Sequence, residues 1–206
     1  MFINQILDRS HFINQWQRLF FQSVFQTMLV CQSAINFLCL AGHSNLNEKT
    51  FRPNFGKHFC FASLNGTISE KCQVVSPIAV AGDAWFIKKS GKHTFGLDKF
   101  WNGSHWRVEK GSKLSIIAFI DQPNNASPAL SAAQTPPHLA AAETDKNRLT
   151  RIDFYLQHFL ETVRLFPKAV EYLLVDGFYA KLKFVNGVSL NGFHLISKLR
   201  TNANLQ

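Results

Sequence analysis

The stretch Ile78 to Gly103, IAVAGDAWFIKKSGKHTFGLDKFWNG, decides how this chain is read, because a single carboxylate, Asp83, interrupts its apolar start. Ile78, Val80, Trp85, Phe86 and Ile87 are strand formers and predict a strand over residues 77–88 with Asp83 inside it. In a strand buried on both faces an unpaired charge costs on the order of several kcal/mol or shifts its pKa, so the sequence predicts a partner for Asp83. A divalent cation best rewards a carboxylate at a strand's edge. A second such ligand stands in the apolar run Val170 to Asp176, VEYLLVD, which predicts a strand ending in Asp176. Two strands, each carrying one Asp, make a metal clamp. Two plainer readings stay open: Asp176 followed by Gly177 is ordinary turn chemistry, and Gly82 can mark a bulge that turns Asp83 to solvent.

The chain's bulk properties bound the rest. Its 206 residues suffice for one well-buried domain plus a small appendage, and 46% apolar with 17% charged residues excludes a disordered chain. The 20 Phe residues are spread along the sequence and are read mainly as core. The net charge of +9 is uneven, with +4 over residues 83–113, +3 over 176–206, +3 over 1–82 and −1 over 114–175. The excess surrounds the two Asp blocks, which suits a polyanionic substrate such as DNA; an ordinary solvated basic surface is the competing reading. Cys31, Cys39, Cys60 and Cys72 show no C-x-x-C pair and no matching His spacing, so the sequence predicts reduced, buried thiols and no zinc site. The N-terminus lacks the order of a secretory signal, and Gln22, Gln26, Gln32 and Asn36 interrupt Phe20 to Cys39, so the reading is cytoplasmic with no membrane partner.

Apolar residues near helical spacing over 11–41, from Trp16 to Cys39, predict one long helix or two short ones ending at Gly42. Asn45 or Asn47 caps a further short helix with Phe51 and Phe55, and Arg52 and Lys57 lie on or beside it. Residues 1–72 are therefore a helical region. Two readings of it stand: a DNA-binding element, or a helical hairpin packing its Phe residues into a core. Residues 73–206 read as strand 77–88, a basic loop, strands near 114–121 and 127–134, helix 152–165, strand 170–176, helix 179–186 and strand 193–198. Three strands followed by alternating helix and strand is the order of an α/β, ribonuclease H-like mixed sheet. It would set Asp83 and Asp176 on neighbouring central strands.

Four blocks in one order carry a family resemblance: GDAWFIKKSGKHTFGLDKFWNG, SHWRVEKG, RIDFYLQHFLETVRLFPKAVEYLLVDGFYAKLKFVNGV and FHLISKLRTNANL. They resemble the core of DDE transposases from bacterial insertion sequences, and LNEKTFRPNFGKHFCFASLN resembles the short region before that core. The resemblance implies a catalytic core over 73–206. Its first catalytic Asp precedes a K-S-G-K-x-T-x-G-type stretch and falls on Asp83; its second lies in a V-D-G-F-Y-type block and falls on Asp176. It implies Mg²⁺ or Mn²⁺ as cofactor, strand cleavage and transfer by a two-metal mechanism, and double-stranded DNA as partner, with a homodimer on the DNA left open. The family's third carboxylate, a Glu on a helix beyond the last block, has no counterpart here, so a C-terminally truncated, impaired enzyme is expected. Glu109 matches its own family block, and Glu143, Glu161 and Glu171 fall in a crossover, on a helix and at a strand start. Trp85 stands where the family usually has a small residue. The candidate phosphate contacts are Lys89, Lys92, Arg107, Lys110, Lys198 and Arg200. A non-catalytic DNA-binding remnant and a metal-dependent nuclease are the alternatives.

Overall fold

The apolar run around Asp83 forms β1 (Ala79–Lys88), the central strand of a six-stranded mixed sheet. The structure is a computed structural model and describes residues 2–10, 12–32, 34–72, 79–91, 94–139 and 149–199. The chain divides into two units, Met1–Gln73 and Val74–Gln206.

In the second unit, β1 is followed by β2 (Asp98–Asn102), β3 (Arg107–Phe119) and β4 (Ala129–Gln134). β3 runs antiparallel to β1, with Asp83 opposite Ile116. Its first half pairs with β2 and its second half with β4, both antiparallel. On the other side of β1 lie β5 (Tyr172–Val175) and then β6 (His194–Ser197), both parallel. A parallel neighbour needs a crossover, supplied by α6 (Arg151–Val163) before β5 and α7 (Leu182–Leu190) before β6. α6 starts where Thr150 and Asp153 cap each other reciprocally, and Ile152, Tyr155, Phe159 and Thr162 then recur on its buried side.

Pleating separates the sheet's two faces. Val80, Ile117 and Leu173 join Tyr155 and Phe159 of α6 and Phe184 and Val188 of α7 in one core. The helices meet closely at Gly187, where a Cβ would stand 2.5 Å from Leu156 Cδ2. The other face carries Asp83, Trp85, Leu174 and Ile196, and Trp85 and Ile196 are 62% and 52% exposed.

The basic loop expected over 89–113 is in fact largely a hairpin, β2 with the first half of β3. Phe100, Asn102, Glu109 and Gly111 are buried there, so the only large apolar side chain among these four is Phe100 and two are polar. Hydrophobic alternation, the usual mark of a strand, is consequently lost.

The first unit consists of α1 (Phe2–Arg9), α2 (Gln15–Val30), α3 (Phe37–Gly42), α4 (Glu48–Phe55) and α5 (Phe61–Lys71). The pattern over 11–41 resolves into two helices, α2 and α3. Asn14, Asn36 and Asn47 cap α2, α3 and α4, each side chain accepting a backbone N–H three residues on. Leu7, Phe20, Phe21, Val24, Leu40, Phe51 and Leu64 form its core. Arg52 pairs with Glu48 and lies over the Phe37 ring, and Lys57 Nζ donates to Asn54 Oδ1. The expected set of reduced thiols is corrected here: Cys31 and Cys39 form a disulfide, while Cys60 and Cys72 are free. Cys31 caps the end of α2 and Cys39 lies on α3. No helix among the described residues is long and apolar enough to cross a membrane.

Candidate functional site

The β1–β5 ladder runs to Gly82 opposite Val175, so Asp83 and Asp176 are the next positions on the two strands. β5 pairs with β6 up to Val175 opposite Ser197, which sets Lys198 at the same level. Asp83 accepts the N–H of Ala84 at 2.7 Å. Asp176 accepts the N–H of Phe178 on Oδ1 at 2.9 Å, and its carbonyl accepts that of Tyr179. The turn chemistry read from Asp176–Gly177 is thus present, and it fixes the carboxylate at the strand's end.

One premise from the sequence is corrected. Asp83 is exposed, not buried within its apolar run. Val80, Gly82 and Ala84 take the face covered by α6 and α7, and the pleat turns Asp83 the other way. An exposed carboxylate keeps its water, so burial does not oblige it to find a partner. Whatever favours a cation here must come from the neighbouring carboxylate.

Both carboxylates line one cavity of about 530 Å³, with Trp85, Phe86, Trp101, Lys113, Phe178 and Tyr179 among its walls. Lys113 lies opposite Phe86 on β3. Burial, and then Arg151, push its ammonium below the ordinary lysine range, while Asp83 and Asp176 pull it back up. Burial also drives the Tyr179 phenol well above its usual value, with Tyr155, Asp83 and Asp176 adding to the effect. Lys113 therefore lies in the field of both carboxylates. Sequence reading missed it because GSKLS carries no pattern that marks an inward lysine; its place opposite Phe86 emerges only from the register.

Glu109 is committed elsewhere. It accepts from Asn102 Nδ2 at 2.6 Å, contacts His105 Nδ1 at 2.9 Å, and takes Arg107 Nε and Nη2 on Oε1 at 2.9 and 2.7 Å. The Asn102 hydrogen bond first, then Arg107, hold its carboxyl down at about 2. Glu109 does not line the cavity, nor do Glu161 and Glu171, and Glu143 lies outside the described residues. Asp83 and Asp176 are the two carboxylates among the cavity's described walls.

The expected phosphate contacts scatter. Lys89 and Lys110 meet at the far end of β1, where the Lys89 N–H approaches the Lys110 carbonyl. Lys89 is six residues beyond Asp83, about 20 Å along a strand. Arg107 is engaged by Glu109. Lys198 alone of the described candidates shares the level of the two carboxylates, and Lys92 and Arg200 lie outside the described residues.

No protein-family model matches the chain, and no curated protein does. Among solved structures it is similar to the piggyBac transposase synaptic complex with hairpin DNA, at 13% identity and a TM-score of 0.41, over 98% of this chain and 41% of that one. It is also similar to the Mos1 mariner paired end complex with Mn, at 13% identity and a TM-score of 0.32, over 82% of this chain and 56% of that one. The chain spans less than two thirds of the length of either.

Proposed function

We propose that residues 74–206 form the ribonuclease H-like core of a DDE-type transposase of the bacterial insertion-sequence kind, acting on double-stranded DNA. The observation that carries this is the placing of Asp83 and Asp176 at one level of neighbouring parallel strands, lining one cavity. The strand order supports the fold: on one side of β1 lies antiparallel β3, itself paired antiparallel with β2 and β4, and on the other side lie β5 and β6, parallel to β1.

The donors fit Mg²⁺ or Mn²⁺. Both groups are exposed carboxylates, hard oxygen ligands of the kind these ions prefer, and each is steered by a backbone N–H. When bound, such an ion neutralises and polarises a phosphodiester. Lys113 supplies positive charge beside the same carboxylates, Lys198 reaches phosphate at their level, and Lys89 and Lys110 offer a second basic contact further along the hairpin. Trp85 and Trp101 wall the cavity and limit what enters it.

A second reading, a DNA-binding protein without catalysis, draws on Lys113 and on the absence of a third carboxylate among the cavity's described walls. Two ligands hold a metal pair loosely, and loss of positioning costs orders of magnitude in phosphoryl transfer. Supercoiled plasmid with Mg²⁺ or Mn²⁺ decides, run beside the Asp83→Asn, Asp176→Asn chain with duplex binding measured across salt concentrations. Nicking by the parent alone supports the transposase reading. Salt-steep binding without nicking supports the second, and failure to bind duplex DNA overturns both.

A further inference from the structure

Away from the carboxylate cavity, in the helical unit, two sulfurs and an imidazole converge. The Cys31 and Cys39 sulfurs and a ring nitrogen of His43 all lie within 4.8 Å of one another. Cys31 ends α2, Cys39 sits on α3, and His43 follows α3 one turn after Cys39. The imidazole Nδ1 is 3.0 Å from the Cys39 carbonyl oxygen and 4.0 Å from the Cys39 sulfur. Both sulfurs are half-buried and the ring is exposed, so solvent ions reach the group.

We propose that, once the disulfide is reduced, Cys31, Cys39 and His43 bind a soft divalent cation of the zinc class, with a fourth position open to water. Two thiolates and one imidazole are the donors such an ion selects over Mg²⁺ or Ca²⁺. The pairing of Cys39 with His43, four residues on at the end of α3, offers two ligands from one short helix, and Cys31 at the end of α2 delivers the third. The eight-residue separation of the cysteines matches no zinc spacing, which is why the sequence alone hides the site. The disulfide and the metal-bound form exclude each other. Reduction by a phosphine gives two thiols, with the phosphine losing two electrons and leaving as its oxide with one water's oxygen. Metal binding then releases the two thiol protons to solvent.

The test uses the full chain, reduced with a trialkylphosphine under inert gas and titrated with Co²⁺, then Zn²⁺. One equivalent of Co²⁺ should give thiolate-to-metal charge-transfer absorption with the visible bands of a tetrahedral site, and Zn²⁺ should abolish both. Cys31→Ser and Cys39→Ser should lose the charge-transfer band or sharply reduce it. His43→Gln should bind at least about tenfold more weakly, since even groups that only support a ligand cost 10–100-fold. Cys60→Ser, Cys72→Ser should titrate like the parent. As a measurement that needs no variant, Zn²⁺ should shield Cys31 and Cys39 of the reduced parent from iodoacetamide but not Cys72, read by mass spectrometry. Absence of the band in the parent, an unchanged affinity in His43→Gln, or equal alkylation with and without Zn²⁺ overturns the proposal.

Discussion

His158 joins α6 to the sheet, and its titration should govern the stability of the second unit near neutral pH. The ring is 5% exposed, with Nδ1 2.9 Å from Ser115 Oγ on β3 and Nε2 2.9 Å from Ser131 Oγ on β4. Burial lowers its pKa from 6.5, and Glu161, three residues along α6, pulls the other way. In the unfolded chain the ring titrates near 6.5, so below that pH the unfolded state binds the proton first. Stability is then complete above about pH 6.5 and falls as the pH drops toward the folded value. While folded His158 stays neutral, each pH unit costs about 1.4 kcal/mol. Between pH 6.5 and 5.5 the melting temperature should therefore fall, by at most about 3–6 °C for a unit of this size, because the unfolded ring is only half protonated at pH 6.5. Calorimetry of the parent and of His158→Gln across pH 7.5 to 5.5 measures it. Glutamine keeps a donor and an acceptor but does not titrate in this range, so the variant should show a flatter slope whatever its absolute stability. Equal slopes would refute the reasoning.

Glu109→Gln should loosen the β2–β3 hairpin, seen as faster amide exchange at Phe100 and Val108. In the parent that hairpin should weaken only as the pH falls from 4.5 through about 2, because the folded carboxyl is held down. Asp83→Asn and Asp176→Asn, both at exposed positions, should each weaken Mn²⁺ binding at least about tenfold in calorimetry while leaving the melting temperature within about 2 °C. Phe159→Ala, at a ring 2% exposed and packed on Phe166 and Phe193, should cost about 3–5 kcal/mol in urea unfolding.

What the residues disclose depends on whether one strand's own pattern suffices. β5 was legible because its apolar run is continuous, β1 because strand-forming residues flank Asp83 on both sides, and α6 because Thr150 and Asp153 announce its start. β2 was hidden by Asn102 and Glu109, polar residues that satisfy each other inside the hairpin. Asp83 was placed on its strand but given the wrong environment. A strand apolar at both parities does not say which face the helices cover, and α6 and α7, far along the chain, settle that. Lys113 and the Cys31–Cys39–His43 group were hidden for a related reason: pairing register and helix packing create both, and neither has a signature along the chain.

The exposure of Asp83 also changes what the basic charge can do. A net charge of +9 draws a polyanion to the chain, yet two adjacent carboxylates repel any phosphate that enters their cavity. Phosphate approaches that point only if positive charge intervenes, and two sources are to be told apart: Lys113, already within the field of both carboxylates, and, under the function proposed above, a divalent ion bound by them. The two compete for the same anions. If Lys113 dominates, neutralising the carboxylates relieves repulsion and duplex binding tightens with or without metal. If the ion dominates, the same change removes the ligands and binding slackens when metal is present. The sign of that single difference separates a surface that only holds DNA from a site arranged to act on it.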